Sequence, residues 1–197
     1  GMTETFSYTI RDRAIGGLTD TATLTITVVA NQAPVAADFG AGTTDEDNSL
    51  NVSVATLIGL ATDNENDPIT LNSFQATSAN GASITLSGDM TMLIFVPSGA
   101  AALQALSIGD ASVIDTFTYT LTDGTNASNP ATISVTVTPV NDTPDAVDDT
   151  GASFTTNEDT SLTQVAAQGV LANDTDVDAS DTLVVSEVNG AAGDVGN

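Results

Sequence analysis

The 197 residues carry 26 Asp and Glu against two basic residues, Arg11 and Arg13, for a formal net charge of −24. Nothing in such a chain can neutralise phosphates, which excludes nucleic-acid backbones and anionic membrane surfaces as partners. There is no Cys to form a disulfide, and no apolar run approaches the roughly 18 residues that span a bilayer.

Frequent Gly, Asn, Thr and Val with few good helix formers point to an all-β fold. The first predicted element is a β-hairpin over 4–28. Phe6, Tyr8 and Ile10 alternate with Thr5, Ser7 and Thr9, then Leu24, Ile26 and Val28 alternate with Thr23, Thr25 and Thr27. A period of two marks a strand with one face buried and one wet, and the intervening Gly and Asp residues mark a turn. No charged-then-apolar leader precedes this hairpin, so an export signal is expected outside this sequence, and Gly1-Met2 reads as a cloning scar.

Seven further strands are expected: A near 35–43, B near 50–55, C near 69–77, D near 82–87, E near 92–96, F near 115–122 and G near 131–138. Between E and F, Ala102, Leu103 and Leu106 sit at helical spacing with Ser98 placed to cap. This predicts a one- to two-turn helix that packs over one end. Seven short strands with polar turns make an immunoglobulin-like β-sandwich, large enough to bury its own core.

Strands F and G repeat the opening hairpin. Phe117, Tyr119 and Leu121 alternate with Thr116, Thr118 and Thr120, then Ile133, Val135 and Val137 with Thr132, Ser134 and Thr136. At a shift of about 110 residues, "NQAPVAAD" (31–38) returns as "NDTPDAVDD" (141–149). "DEDNSL" (45–50) returns as "NEDTSL" (157–162), and "LATDNENDPITL" (60–71) as "LANDTDVDASDTL" (171–183). Residues 1–30 are therefore expected to be the closing F–G hairpin of one unit and 31–142 a complete unit. Residues 143–197 are expected to be the first half of the next, with strands A, B, C and the start of D.

In a seven-stranded sandwich the A–B and E–F turns share one pole. That gathers Asp45, Glu46, Asp47, Asp110 and Asp115 beside the exit linker, which carries Asn141, Asp142, Asp145, Asp148 and Asp149. The B–C turn of the next unit adds Asp174, Asp176, Asp178 and Asp181. Crowded carboxylates repel one another and push some pKa values upward unless a cation is present. Calcium suits such a place, because it takes six to eight oxygens in irregular geometry. Asp174, Asp176 and Asp178 also alternate as calcium loops often do. The other reading of the acid is a solvated surface.

The blocks "VNDTPDAVDD", "NEDTSL", "LANDTDVDASDTL" and "ALQALSIGDASVIDTFTYTLTDG" resemble bacterial cadherin-like repeats, in particular the VCBS repeat, over essentially the whole chain. The resemblance implies an extracellular tandem array in large bacterial surface proteins, often adhesins serving biofilm formation. It also implies calcium held between successive units by the A–B glutamate, the residue before strand F, the Asn-Asp linker and the B–C Asp-x-Asp. Those roles fall on Glu46, Asp115, Asn141, Asp142, Asp174 and Asp176, with Asp178 beside them. The first junction departs from the pattern. Gln32 stands where the second linker has Asp142, and Glu4 replaces Asp115. Glu4, Asn31, Asp63 and Asp67, with Glu65 in the same turn, make a poorer ligand set.

With no His, Cys or Lys, Ser-His, Cys-His and Schiff-base chemistries are absent, and no enzymatic activity is expected. A calcium-dependent carbohydrate-binding module, with surface polysaccharide as partner, is the alternative to a spacer or adhesion repeat. Sugar platforms usually expose Trp or Tyr. There is no Trp, and Tyr8 and Tyr119 are both expected on buried strand faces. Expected partners are neighbouring repeats and, by head-to-tail strand complementation, further copies of the chain.

Overall fold

A computed structural model describes residues 1–13, 15–165 and 168–188. The chain opens with a long hairpin, β1 (Met2–Arg11) and β2 (Thr19–Val28), paired antiparallel along its whole length. It stands as a separate two-stranded sheet.

A β-sandwich follows. Its strands are β3 (Phe39–Asp45), β4 (Leu50–Ser53), β5 (Thr70–Phe74), β6 (Ser83–Leu86), β7 (Met92–Val96), β8 (Val113–Thr122) and β9 (Ala131–Thr138). One sheet has the order β3-β9-β8-β5 and the other β4-β7-β6. These are the seven strands read from the sequence, so the fold is an all-β sandwich of immunoglobulin type. Strand β3 lies parallel to β9, and the other strand pairs are antiparallel. A bulge between Gly40 and Gly42 breaks the β3–β9 register, with Gly42 at φ +105°, a conformation that disfavours any side chain. The first strand starts at Phe39, later than the alternation suggests. Val35 makes only an isolated bridge to Thr62.

The core is built from the inward positions of both sheets. Phe117, Tyr119, Leu121, Ile133, Val135 and Val137 meet Val52, Ile84, Leu93 and Phe95. The rings of Phe95 and Phe117 stack across the layers, with centroids 6.3 Å apart. The buried Tyr119 hydroxyl donates to the Ala37 carbonyl at 2.8 Å, tying the incoming chain to β8.

Two helices cover the ends. The expected one is present as α2 (Ala101–Gln104), with Leu103 fully buried. Ser98 does not cap it; the residue at the N-terminal boundary is Ala100, whose side chain has nothing to offer the helix. The other, α1 (Val54–Leu60), directly continues β4 where an extended strand end was expected. Ser53 caps it, its hydroxyl accepting from Thr56 N–H at 3.4 Å, and Val54 and Leu57 turn inward one helical turn apart.

Past residue 142 the expected A, B and C strands do not form among the described residues. The described residues there include a 3-10 turn, Ala152–Phe154, and an isolated bridge, Asp145 to Thr175. In the sandwich β3 is held by β9 and β5 by β8, and no such ladder is present among the described residues past 142. The expected start of strand D lies outside the described residues. The hairpin is the mirror case: both its strands are exposed throughout, Tyr8 included, contrary to the expected burial of that side chain.

A candidate cation centre at the second junction

Glu46 follows β3 at the first position of the β3–β4 turn. Asp45 shapes that turn by accepting from Asn48 N–H at 2.8 Å and Asp47 N–H at 3.2 Å. The turn aims Glu46 inward, and its side chain is fully buried. Its Oε1 accepts from the Val140 N–H at 2.5 Å, and its backbone carbonyl accepts from Gln104 Nε2 of α2 at 2.7 Å. The glutamate is thus fixed between β3, α2 and the segment that leaves β9.

Two residues later in that segment comes Asp142. Its N–H donates to Asp178 Oδ2 at 2.8 Å, and Asp178 N–H donates to Asp176 Oδ1 at 3.0 Å. The Asp178 loop is docked on the sandwich by backbone bonds. Ala179 N–H reaches the Ala105 carbonyl at 3.2 Å, and Ser180 N–H reaches the buried Ser107 hydroxyl at 2.9 Å.

Carboxylate oxygens of Glu46, Asp142 and Asp178 lie within 4.8 Å of one another. Glu46 and Asp178 are buried and Asp142 is half-buried. Each has one buried oxygen with no hydrogen-bond partner: Glu46 Oε2, Asp142 Oδ2 and Asp178 Oδ1. Burial pushes the Glu46 carboxyl above its ordinary range, against the pull of the Val140 N–H, and Asp142, Asp178 and Asp47 push the same way. Asp142 is also raised, first by burial and then by Asp47, Asp178 and Asp176. Three mutually repelling acids with unsatisfied oxygens are costly to keep, unless a cation takes the space between them.

The donor set fits a hard cation. It is all oxygen, with neither thiolate nor imidazole, which favours calcium, magnesium or manganese over zinc or copper. Two oxygens ligating one calcium at about 2.4 Å can lie no further apart than about 4.8 Å, and the three acids meet that limit.

The other expected ligands are placed as follows. Asp176 orients Asp178 and bears on Asp142 electrostatically. Asp174 instead accepts from Val147 N–H at 2.8 Å, and the Asn141 side chain donates to the Asp142 carbonyl at 2.9 Å. Asp115 stands apart from the group of three. It is fully buried on the core face of β8, and its carboxylate accepts from the Ser78 hydroxyl, Asn80 N–H at 2.9 Å and Asn80 Nδ2 at 3.1 Å. It therefore pins the β5–β6 connection.

The first junction repeats the backbone pattern of the second. Gln32 N–H donates to Glu65 Oε2 at 3.3 Å, and Glu65 N–H to Asp63 Oδ1 at 3.0 Å. Asp63 therefore matches Asp176 and Glu65 matches Asp178, two residues away from the match that sequence alone suggests. Asp67 only donates its N–H to Asp63 Oδ1 at 3.2 Å, Asn31 Nδ2 donates to Asp123 Oδ2 at 3.0 Å, and Glu4 lies exposed on β1 opposite Ile26. Asp63 Oδ2 is a further buried oxygen without a partner. Among the described residues, only the second junction assembles three acids.

The sequence profile of a family described as "Bacterial cadherin-like domain" matches residues 31–139. A comparison with curated proteins finds no match.

Proposed function

Because the chain belongs to the bacterial cadherin-like domain family, we propose that it is a calcium-stiffened adhesion repeat of a bacterial surface protein, with roles in cell adhesion and biofilm. Members of this family are structural and adhesion modules, typically extracellular and generally calcium-binding. No helix among the described residues is long and apolar enough to cross a membrane.

One observation carries the calcium reading: the three unpartnered, buried carboxylate oxygens of Glu46, Asp142 and Asp178. They come from three stretches of chain, namely the β3–β4 turn, the exit linker and the loop of the following segment. An ion there would supply the positive charge that all three lack. Glu46 would hold it to the sandwich, Asp178 to the following segment, and Asp142 to the linker between them. Asp47 and Asp176 would add negative charge around it. The bond from Asp142 N–H to Asp178 and the docking of Ala179 and Ser180 orient these groups beforehand.

Calorimetric titration with calcium, repeated with magnesium, tests the reading. Saturable binding is expected for calcium in the intact chain and is expected to vanish in Glu46→Gln. A titration that shows only weak, non-saturating heats in the intact chain would remove calcium from this function.

A further inference from the structure

The connection between β5 and β6 carries an Asn-Gly pair, Asn80-Gly81, in a tight turn. Asn-Gly is open to self-modification, because glycine has no side chain to keep its backbone nitrogen away from the preceding amide. In that reaction the Gly81 nitrogen attacks the side-chain carbonyl carbon of Asn80 and gives up its proton. The side-chain nitrogen leaves as ammonia, and a cyclic imide joins the two residues. Water then opens the ring at one carbonyl or the other, leaving aspartate or isoaspartate at position 80. Water is the only co-reactant, and nothing is oxidised or reduced.

The fold holds this pair out of reaction. Asn80 N–H and Asn80 Nδ2 both donate to the same oxygen, Asp115 Oδ1, at 2.9 and 3.1 Å. The side chain is therefore folded back over its own nitrogen, towards β8, and away from the Gly81 nitrogen that follows. That nitrogen is itself engaged, its N–H donating to the Ser78 carbonyl at 3.2 Å with Gly81 at φ +96°. Ser78 closes the turn, its hydroxyl donating to Asp115 Oδ2 and accepting from Ala82 N–H at 2.8 Å. Asp115, Ala82 and Ser78 are buried, and Asn80 is half-buried. Reaction at Asn80 thus needs the turn to come off Asp115 first.

We propose that Asn80-Gly81 is a self-modification site that reacts only when the β5–β6 turn is released, and that its product keeps the turn from closing again. Aspartate at position 80 sets a second carboxylate against a fully buried one and removes the Nδ2 donor that Asp115 accepts from. Isoaspartate lengthens the main chain by a carbon atom inside a turn where the N–H groups of Asn80, Gly81 and Ala82 each have a fixed acceptor. Either product leaves Asp115 short of partners. A reversible opening becomes a permanent one through chemistry on the opened chain. None of Glu46, Asp142 and Asp178 takes part, so the reaction is independent of the ion.

The test incubates the full chain in mildly alkaline buffer, folded or in urea, and digests it for peptide mass analysis. The mass change of amide to acid at Asn80 is expected to accumulate in urea, at a rate close to that of the other Asn-Gly in the sequence, Asn189-Gly190. In the folded chain the change at Asn80 is expected to be slower by at least about tenfold. After refolding, brief thermolysin treatment should digest the chains modified at Asn80 and spare the unmodified ones.

Two substitutions separate the new charge from its position. Asn80→Asp makes one product directly and is expected to lower the melting temperature. Ala79→Asp adds the same charge on the exposed neighbouring residue and is expected to melt close to the parent. Equal rates at Asn80 in the folded and urea-unfolded chain, or no reaction in urea, would overturn the proposal. So would modified chains that refold as resistant to thermolysin as the parent, or an Asn80→Asp variant that melts with Ala79→Asp.

Discussion

The backbone N–H of Asp142 donates to the carboxylate of Asp178 at 2.8 Å, while each of these two side chains leaves one buried oxygen unpartnered. The two acids are thus held side by side by a bond that does nothing to relieve their repulsion. Glu46, gripped by the Val140 N–H, closes the same group.

Calcium should therefore raise stability in a way that each acid controls. An extracellular-class site with a dissociation constant of about 0.1 mM gains about 2.7 kcal/mol at about 10 mM calcium. For a domain of this size that is on the order of 10 °C in melting temperature. Glu46→Gln or Asp178→Asn should abolish most of the gain. Without calcium the same variants should melt no lower than the parent, because they remove repulsion. Melting curves with and without the ion check both halves.

The pH dependence should reverse sign with calcium. Glu46 and Asp142 are raised above their ordinary values of 4.5 and 3.8, so in the ion-free protein the folded state binds more protons than the unfolded. Stability from these two groups then falls as pH rises from those ordinary values through the raised folded ones. With calcium bound both must be ionised, and the contribution is lost as pH falls. Asp45, Asp89 and Asp123 are lowered by hydrogen bonds and act in the opposite sense. The difference between the parent and Glu46→Gln across the acidic range isolates the junction.

Asp115→Asn separates a structural role from a ligand role. The amide can no longer accept with both ends from the Ser78 hydroxyl and the two Asn80 donors. The expected cost is about 1–3 kcal/mol of stability, with the calcium dissociation constant unchanged. Chemical denaturation and calorimetry on the same variant check the two parts.

Leu57→Ala tests whether α1 belongs to the core. Leu57 is fully buried, so removing its side chain should cost about 2–5 kcal/mol. An exposed neighbour such as Thr56→Ala should cost far less, apart from any effect on the Ser53 cap. Denaturant midpoints give the comparison.

The strands were legible because alternation such as Phe117, Tyr119, Leu121 needs no tertiary knowledge to read. Helix α1 was not, because Val52, Ser53 and Val54 continue the strand's alternation and only the serine hints at a cap. Glu46, Asp142 and Asp178 were within reach of the sequence, since turn order sends them to one pole. The fate of Asp115 was not: its inward position is set by strand register, and its partners Ser78 and Asn80 lie far away along the chain. The match of Asp63 to Asp176 and of Glu65 to Asp178 was hidden for a similar reason. Only the bridges Val35 to Thr62 and Asp145 to Thr175 show how the two turns align. Among the described residues past 142 the expected strands do not form, because local alternation does not by itself supply the pairing that a ladder needs.

The parallel pairing of β3 with β9 has a mechanical meaning. These are the first and last strands of the sandwich, and they lie side by side from Phe39 with Ile133 to Asp45 with Thr138. Tension applied through the two flanking linkers pulls them along their length in opposite directions. The load then falls on the whole ladder in shear, instead of opening one hydrogen bond at a time as it would in an unzipping hairpin. A repeat wired in this way resists stretching through its topology, and an ion beside the point where β9 leaves would anchor the loaded end.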